Sequence, residues 1–204
     1  MSEIIQGTPE WLQLRLGKVT ASRVADVLAK TKTGVSASRG NYLIELAIQR
    51  VTGVVEESFK NDAMAWGTEQ EPFARMKWEL LNETLVDEVP FIDHPTIKWF
   101  GCSPDGLVGN EGLIEIKAPN SKTHWEYFKA GEAPTKYIIQ MQSQMACTGR
   151  EWCDFISYDP RMPESSQMLV KRYPRDNKMI ADIEKAVKQF LDEVEKEVQL
   201  MRNK

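Results

Sequence analysis

Two acidic residues and a lysine lie close together in the middle of the chain. Asp105 follows Pro104 in a Ser-Pro-Asp-Gly turn. After nine intervening residues, Glu115 and Lys117 alternate in the stretch Gly-Leu-Ile-Glu-Ile-Lys-Ala. Side chains two apart in a strand share a face, so Glu115 and Lys117 would project together, and a hairpin would bring Asp105 beside them. Paired carboxylates ionise together only with a cation between them, and oxygen ligands suit Mg²⁺. With a lysine to orient or activate water, this set predicts metal-assisted phosphodiester hydrolysis.

Each part of this set also has a structural interpretation when it is taken alone. Ser-Pro-Asp-Gly suits a type I turn, and Ile-Glu-Ile-Lys suits a half-exposed strand. Their order, spacing and hairpin context together favour a catalytic site. The sequence contains no G-x-S-x-G, Walker A or G-x-G-x-x-G motif. Its two histidines and three scattered cysteines form no obvious zinc site.

Hydrophobic periodicity indicates helices on both sides of a central group of short strands. Helices are predicted to begin at Thr8-Pro9 and Thr20-Ala21 and to cover about 41–52, 61–81, 121–130, 134–147 and 176–202. Strands are predicted within 84–92, 97–101, 106–109, 112–118, 152–158 and 167–173. The fold class is therefore mixed α/β (α+β), with a small central mixed sheet flanked by helices. We expect one domain over 1–204, with a mainly helical part (1–82), a sheet core (83–173) and a C-terminal helix (174–204).

Two segments carry more specific expectations. The spacing in helix 61–81 predicts an inward apolar face made of Phe73, Met76, Leu80 and Leu81. Pro72 inside this helix predicts a kink or a restart. The polar and basic stretch 31–40 is predicted to be a loop.

Composition restricts the class of protein without identifying it. The 204 residues carry a formal net charge of −4 and 42% hydrophobic residues, which excludes disordered, coiled-coil and collagen-like chains and any global basic signature. Residues 14–40 carry six basic and one acidic side chain, whereas 61–115 carry three basic and eleven acidic ones. These are two solvated faces, or an anion-binding segment beside a carboxylate site that needs cations. The cysteine pattern predicts reduced thiols, and neither a signal peptide nor a transmembrane helix is expected.

Several sequence blocks resemble one family of nucleases. The pattern P-D-x9-E-x-K formed by Pro104, Asp105, Glu115 and Lys117 is the signature of the PD-(D/E)XK nucleases. Further blocks resemble the phage lambda-type alkaline exonucleases, the YqaJ-like recombinases: Trp11-x3-Arg15-Leu16-Gly17-x2-Thr20-Ala21-Ser22, Trp66-Gly67-x3-Glu71, Tyr137-x2-Gln140-x-Gln142 and Tyr158-Asp159-Pro160-Arg161-Met162. They follow the family's order over residues 11–162. The resemblance implies a restriction-endonuclease-like core.

The resemblance also implies an activity. The family degrades one strand of linear double-stranded DNA from a 5′ end, processively and with Mg²⁺, for which Mn²⁺ is expected to substitute. It releases mononucleotides and leaves 3′ single-stranded overhangs for recombination. Carried over, Asp105, Glu115 and the backbone carbonyl of Ile116 would hold Mg²⁺, and Lys117 would position or deprotonate the attacking water. Glu71 would support the site, with a second metal as one role and an exposed helix acid as the alternative.

Four residues match family positions that cradle the terminal 5′-phosphate: Arg15, Ser22, Ser103 and Gln140. An arginine offers two donors to phosphate oxygens, and a serine near a helix start adds a hydroxyl where the helix dipole favours anions. The alternatives are a surface charge for Arg15, a local helix-start bond for Ser22 and a core-edge amide for Gln140.

Three further residues are candidate DNA contacts. Trp11 would stack on or wedge a terminal base pair, or would be an aromatic of the helix core. Lys32 and Arg39 would track phosphates, an expectation that rests on charge alone.

The resemblance further implies a toroidal homotrimer with DNA in a central channel, a phage or prophage origin, and a location in the cytoplasm of the bacterial host. A single-strand annealing protein is a plausible partner, and no membrane is expected. Two alternatives stay open at this point: an endonuclease on the same fold, of restriction or junction-cleaving type, and a non-catalytic module that binds DNA ends or proteins.

Overall fold

The structure, a computed structural model, describes residues 4–31, 34–55 and 62–203. In chain order these residues form α1 (Pro9–Arg15), β1 (Val19–Thr20), α2 (Val24–Leu28), β2 (Lys30–Thr31), β3 (Gly34–Val35), α3 (Ala37–Thr52), α4 (Asp62–Asn82), β4 (Val86–Asp87), β5 (Ile92–Asp93), β6 (Phe100–Cys102), β7 (Gly106–Val108), β8 (Gly112–Lys117), α5 (Ser121–Ala130), α6 (Thr135–Thr148), β9 (Trp152–Tyr158), β10 (Met168–Pro174) and α7 (Asn177–Arg202). A 3-10 turn, Ala21–Arg23, precedes α2. Lys32, a predicted DNA contact, lies outside the described residues.

The mixed fold class is confirmed, with a five-stranded sheet in the order β10-β9-β8-β7-β4. Strands β8 and β9 are parallel, and the other neighbours are antiparallel. A parallel pair needs a long crossover connection, which α5 and α6 provide. Strands β7 and β8 form the predicted hairpin, with Gly106 opposite Ile114.

A smaller sheet connects the N-terminal region to the segment before Asp105. Its order is β1-β6-β5, and β1 is parallel to β6 with Thr20 opposite Gly101. Ser22 follows β1 and Ser103 follows β6, so this pairing brings the two serines to the same end of the sheet. The pairing thus joins two parts of the sequence that lie about 80 residues apart.

Strand β8 divides its side chains between the two faces of the large sheet. Ile114 and Ile116 belong to the buried cluster that includes Trp78 of α4, whereas Leu113 belongs to the cluster on the side of α6. Because side chains alternate along a strand, Glu115 lies on the α6 side. The two isoleucines therefore pack the strand against α4, and this packing directs Glu115 toward α6.

Helix α7 buries the apolar stripe that its sequence predicts. Its buried side chains include Ile180, Ile183, Val187, Phe190, Val194 and Val198. All of these except Ile180 pack with residues of α2, α3, β1 and β6 in one cluster, and Ile180 belongs to the cluster on the side of α6. The C-terminal helix therefore supports the small sheet from behind.

The polar stretch 31–40 is not a loop throughout. The hydroxyl of Ser36 accepts a hydrogen bond from the backbone N–H of Arg39 at 3.2 Å, so α3 begins at Ala37. An N-cap of this kind satisfies a backbone donor that the first helical turn leaves free. Gly53 ends the helix with φ of 71°, a left-handed conformation that glycine adopts without strain.

Helix α4 buries a different face from the predicted one. The four side chains expected to point inward are at least half exposed: Phe73 50%, Met76 60%, Leu80 79% and Leu81 65%. The buried residues are instead Gln70, Ala74, Arg75 and Trp78. Apolar side chains lie on more than one side of this helix, so spacing alone does not decide which side meets the sheet. The helix continues through Pro72 without a restart.

Within the described ranges, no helix has both the length and the apolar character that a bilayer-spanning segment requires.

Candidate active site

Asp105 lies in the connection between β6 and β7, beside the strand that carries Glu115. Its Oδ2 accepts a hydrogen bond from the backbone N–H of Ile116 at 2.6 Å. The antiparallel register of β7 and β8 holds the two segments together. The structure thus brings Asp105 and Glu115 to one place, as the hairpin predicts.

The carboxylate of Glu115 is fully buried and receives three donors. Its Oε1 accepts a hydrogen bond from Gln140 Nε2 at 2.7 Å and is in direct contact with Lys117 Nζ. Its Oε2 accepts from Gln144 Nε2 at 2.6 Å. A buried carboxylate requires such partners, because its desolvation is costly without them. Helix α6 and strand β8 together therefore determine the orientation of this acid.

Burial and neighbouring charge perturb both titratable partners of Glu115. Burial, followed by the negative charge of Glu115, raises the pKa of Asp105 well above its ordinary value. Burial lowers the pKa of Lys117, but the charges of Glu115 and Asp105 outweigh this and raise it overall. Two carboxylates thus share one ammonium group, and the ionised site has an excess of negative charge.

Glu71 of α4 lies close enough to this cluster to interact with it electrostatically. Burial raises the pKa of Glu71, and the charges of Arg75 and Lys117 partly oppose this. Arg75 Nη2 donates a hydrogen bond to Glu71 Oε1 at 3.0 Å. The proposed role of Glu71 beside a second metal stays a prediction, and its present partner is Arg75.

The donors of the cluster fit a hard divalent cation. Mg²⁺ is usually held by one or two carboxylates, with substrate phosphate and water completing its octahedral coordination. Asp105 and Glu115 supply two carboxylates, and the backbone carbonyl of Ile116, the residue after Glu115, is the further oxygen ligand that the resemblance implies. Among the residues that the structure describes, no three His, Cys, Asp or Glu side chains form a metal-binding group by themselves. A cation at this site would therefore need oxygen atoms from substrate and solvent.

A cavity of about 150 Å³ adjoins this cluster. Five of the residues predicted to contact DNA line this cavity together with Gln6: Trp11, Arg15, Ser22, Ser103 and Gln140. Arg39 does not line it. Helix α1, the turn after β1, the segment after β6 and helix α6 each contribute to its wall. The cavity is of a size suited to a phosphate group rather than to a base pair.

The cationic group of this cavity is Arg15. Its guanidinium lies over the ring of Trp11, 3.9 Å from the centroid. Burial lowers the pKa of Arg15, but an arginine stays protonated at neutral pH. Within the described ranges Arg15 forms no ion pair. A half-buried cation without an acidic partner favours an anionic ligand.

Trp11 positions two groups of the cavity. Its indole Nε1 donates to the carbonyl of Pro90 at 2.7 Å and to the hydroxyl oxygen of Ser103 at 2.9 Å. The Ser103 hydroxyl donates in turn to Pro90 at 2.7 Å. Because the ring also packs against the guanidinium of Arg15, Trp11 supports the wall of the cavity. Its contact with a base pair stays a prediction.

Two glutamines of the site, Gln6 and Gln144, are not among the residues predicted from the sequence. Gln6 Nε2 donates to the backbone carbonyls of Val89 at 2.8 Å and Pro104 at 2.9 Å, which ties the N-terminal segment to the segment that carries Asp105. Gln144 lies one helical turn beyond Gln140, a spacing that places both on one face of α6. That spacing is the signal that could have identified Gln144.

Arg39 is held within the protein. Its Nη1 and Nη2 bond the two carboxylate oxygens of Glu193 at 2.8 and 2.9 Å, and its Nε donates to the carbonyl of Val27 at 3.2 Å. The structure places it in α3 and not in the cavity. Contact between Arg39 and DNA phosphate stays a prediction, and such a contact would have to replace the ion pair with Glu193.

Two of the remaining family-like blocks meet each other. The guanidinium of Arg161 lies over the ring of Trp66, 4.4 Å from the centroid. It also donates to the buried carboxylate of Asp159 at 2.7 and 3.0 Å. These contacts tie α4 to the segment after β9, which supports the sheet that carries the acidic cluster.

Comparison with known proteins agrees with this arrangement. Residues 10–151 match the YqaJ-like viral recombinase domain. The chain is similar to LHK-Exo, an alkaline exonuclease from Laribacter hongkongensis, with 54% identity and a TM-score of 0.89 over 96% of this chain and 97% of that one. LHK-Exo in complex with dAMP gives 53% identity and a TM-score of 0.91 at the same coverage.

Two more distant relatives extend the comparison. A phage-related exonuclease from Haemophilus somnus has 16% identity and a TM-score of 0.69 over 90% of this chain and 96% of that one, which shows a shared fold. The uncharacterized protein R354 of Acanthamoeba polyphaga mimivirus is 24% identical over 167 residues, or 74% of this chain. The chain spans 28% of the length of that curated relative.

A mixed sheet that presents Asp105, Glu115 and Lys117 beside a cavity is the arrangement of the PD-(D/E)XK nucleases. Within that class, the chain belongs to the family of YqaJ-like viral recombinase domains, whose match covers more than half of it. The resemblance to the lambda-type alkaline exonucleases is therefore confirmed.

Proposed function

We propose that this protein is a Mg²⁺-dependent 5′-to-3′ exonuclease that hydrolyses one strand of linear double-stranded DNA. In this proposal it acts processively, releases mononucleotides and leaves 3′ single-stranded overhangs for recombination. Its similarity to an alkaline exonuclease over nearly the whole length of both chains supports the reaction class.

The observation that carries the proposal is the shared position of Gln140. This residue donates to Glu115 and also lines the cavity that contains Arg15. A phosphate bound in the cavity would therefore lie next to the acidic cluster. An enzyme that must begin at a phosphorylated end needs such an adjacency, whereas an enzyme that cuts internal bonds does not.

The release of mononucleotides has separate support. LHK-Exo is similar over 96% of this chain and has been crystallised in complex with dAMP, a nucleoside monophosphate. A product of that size is consistent with a terminal phosphate held one nucleotide away from the bond that is cut.

The protein's own groups divide the chemical work. Asp105, Glu115 and the carbonyl of Ile116 hold the cation, which supplies charge neutralisation on the phosphodiester when it is bound. Lys117 orients the attacking water and offsets negative charge on the scissile phosphate. Arg15 holds the terminal phosphate through two donors. Fixing both phosphates at once aligns the scissile bond.

Self-association into a ring is part of the same proposal. Phe73, Met76, Leu80 and Leu81 of α4 are at least half exposed in one chain. Contiguous apolar patches of this kind usually mark protein–protein contacts. A trimeric ring with basic side chains around its channel would reconcile a net charge of −4 with DNA binding. An annealing protein as a further partner stays a prediction.

A strand-specific digestion tests the activity. A linear duplex carries a 5′-phosphate on one strand only, each strand has its own label, and digestion is followed with Mg²⁺ and with EDTA. We expect Mg²⁺-dependent loss of the phosphorylated strand to mononucleotides, while a covalently closed circle remains intact. Internal cuts on both strands, or rapid cutting of the circle, would contradict the proposal and favour an endonuclease.

A further inference from the structure

Two glutamines of helix α6 bond the carboxylate of Glu115, and each bonds a different oxygen. Gln140 donates to Oε1 at 2.7 Å, and Gln144 donates to Oε2 at 2.6 Å. Gln140 also lines the phosphate-sized cavity, whereas Gln144 does not. Gln144 is fully buried, so it reaches the carboxylate from the protein interior.

The two oxygens of Glu115 therefore have different surroundings. Oε1 is shared by Gln140 and by Lys117, whose side chain is 26% exposed, so this oxygen lies on the open side of the site. Oε2 has its hydrogen bond from Gln144 on the closed side. A ligand that approaches Glu115 from the cavity would compete with Gln140 and Lys117 and would leave the bond from Gln144 in place.

The orientation of the Gln144 amide is determined by this contact. Its Nε2 faces a carboxylate oxygen, and the reverse orientation would place a carbonyl oxygen against that carboxylate. In the described orientation Gln144 Oε1 is buried and has no hydrogen-bond partner within the described residues. A buried acceptor left unpaired is unfavourable, so packing alone does not account for a glutamine here. A donor to Glu115 accounts for it.

We propose that Gln144 is a positioning residue that fixes Glu115 for cation binding and takes no part in recognition of the 5′ end. Gln140, by contrast, divides its amide between the carboxylate and the cavity. The inference rests on the proposed function for the identity of the cation. It predicts that the two glutamines, one turn apart on the same helix, have separable effects.

The test uses the substitutions Gln144→Met and Gln142→Met in the full chain. Gln142 is a matched control because it is also a buried amide of α6, but it bonds Pro174 and Asp176 and does not contact Glu115. Two quantities are measured: the rise in melting temperature during a Mg²⁺ titration without DNA, and the affinity for a duplex with either a 5′-phosphate or a 5′-hydroxyl end in EDTA.

We expect Gln144→Met to raise the Mg²⁺ concentration for half-maximal stabilisation by about tenfold or more, as substitutions behind metal ligands commonly do. The preference for a 5′-phosphate should not change. Gln142→Met should lower the melting temperature without a shift in the Mg²⁺ titration. A merely structural role of Gln144 predicts the same pattern as the control.

Equal Mg²⁺ responses of the two variants would overturn the inference, and so would a loss of 5′-phosphate preference in Gln144→Met. If Gln144→Met does not fold, Gln144→Asn takes its place in the test, because the shorter side chain withdraws the amide donor by one methylene. Failure of both variants to give a native near-ultraviolet circular dichroism spectrum would assign Gln144 to folding and overturn the inference. A wild-type protein that responds to Mg²⁺ but degrades no DNA would refute the proposed function while leaving the assignment of Gln144 measurable.

Discussion

The amide nitrogen of Gln140 donates a 2.7 Å hydrogen bond to Oε1 of Glu115, and the same side chain lines the cavity that contains Arg15. A single side chain thus contacts the acidic cluster and the proposed phosphate site. Recognition of the DNA end and the chemical step should therefore be sensitive to the same substitution.

Gln140→Met keeps the length of the side chain and removes its donors. It should lower kcat/KM about tenfold to a hundredfold, because it removes a hydrogen bond to a charged group on each side. It should also reduce the preference for a 5′-phosphate. Steady-state kinetics on the two kinds of duplex end measure both effects. An unchanged preference for a 5′-phosphate would show that Gln140 takes no part in binding the terminal phosphate.

Arg15→Gln removes the cation of the cavity. The loss of a charged hydrogen bond, about 2 kcal/mol, should lower kcat/KM on a 5′-phosphorylated duplex about 30-fold. Activity on a 5′-hydroxyl end should hardly change. Arg23→Gln is the control, because Arg23 is paired with Asp26 and Glu45. A similar loss on both ends would assign Arg15 to the stability of the fold.

Asp105→Asn should abolish turnover without lowering the melting temperature in EDTA. Burial and the charge of Glu115 already disfavour an ionised Asp105, and an asparagine oxygen can still accept the N–H of Ile116. DNA binding should be retained, because a negative charge near phosphate has been removed. Turnover at the wild-type level would exclude Asp105 from the cation site.

Asp159→Asn serves as the contrasting variant for Asp105→Asn. Asp159 is a fully buried carboxylate that pairs with Arg161 instead of lying beside another acid. Its loss should destabilise the fold by about 1–3 kcal/mol. Chemical denaturation of both variants measures the difference. Equal destabilisation by the two changes would contradict the excess negative charge that we assign to the Asp105 site.

Arg39→Met tests the ion pair with Glu193. Hydrogen bonds from Arg39 lower the pKa of Glu193 below its ordinary value of 4.5. The pair therefore contributes stability above pH 4.5, and this contribution is lost as the pH falls through the lower pKa of the folded state. We expect a loss of about 1 kcal/mol at pH 7 that disappears in acid. Denaturation at several pH values measures it.

The same variant also tests the assignment of Arg39 to DNA. If Arg39 pairs only with Glu193, Arg39→Met should leave the salt dependence of DNA binding unchanged. A slope of log K against log salt that is reduced by about 0.9 would instead support a phosphate contact.

Leu80→Lys places a charge on the exposed apolar face of α4. If this face joins protomers into a ring, the variant should be smaller than the wild-type protein in size-exclusion chromatography with light scattering. Leu200→Lys on α7 is the control, since Leu200 is also exposed, at 56%. A monomeric wild-type protein would refute self-association, and a trimeric Leu80→Lys variant would place the interface elsewhere.

Local patterns in the sequence were enough to predict the hairpin that joins Asp105 to Glu115. Alternation along a strand and a short connection between two strands involve only near neighbours, and both are present in the structure. The apolar stripe of α7 was predicted for the same reason. The class of chemistry followed from these local features together with the resemblance.

Tertiary choices could not be predicted in this way. The buried face of α4 depends on which side chain fits against the sheet, and Trp78 occupies that place while Leu80 is exposed. The ion pair of Arg39 joins residues 154 positions apart, which no local pattern reveals. Gln144 was missed because its one-turn spacing from Gln140 does not reveal that Glu115 is buried beneath α6.

The acidic cluster and the cavity differ in the sequence separation of the residues that contact each other in them. The bond between Asp105 and Ile116 closes a loop of 11 residues, whereas the bond between Trp11 and Ser103 closes one of 92. Closing the longer loop costs more chain entropy, so the acidic hairpin can form well before the cavity. A nascent or partly folded chain could thus carry the acids without the means to select an end. The proposed discrimination between DNA ends would therefore be a property of the completed tertiary structure.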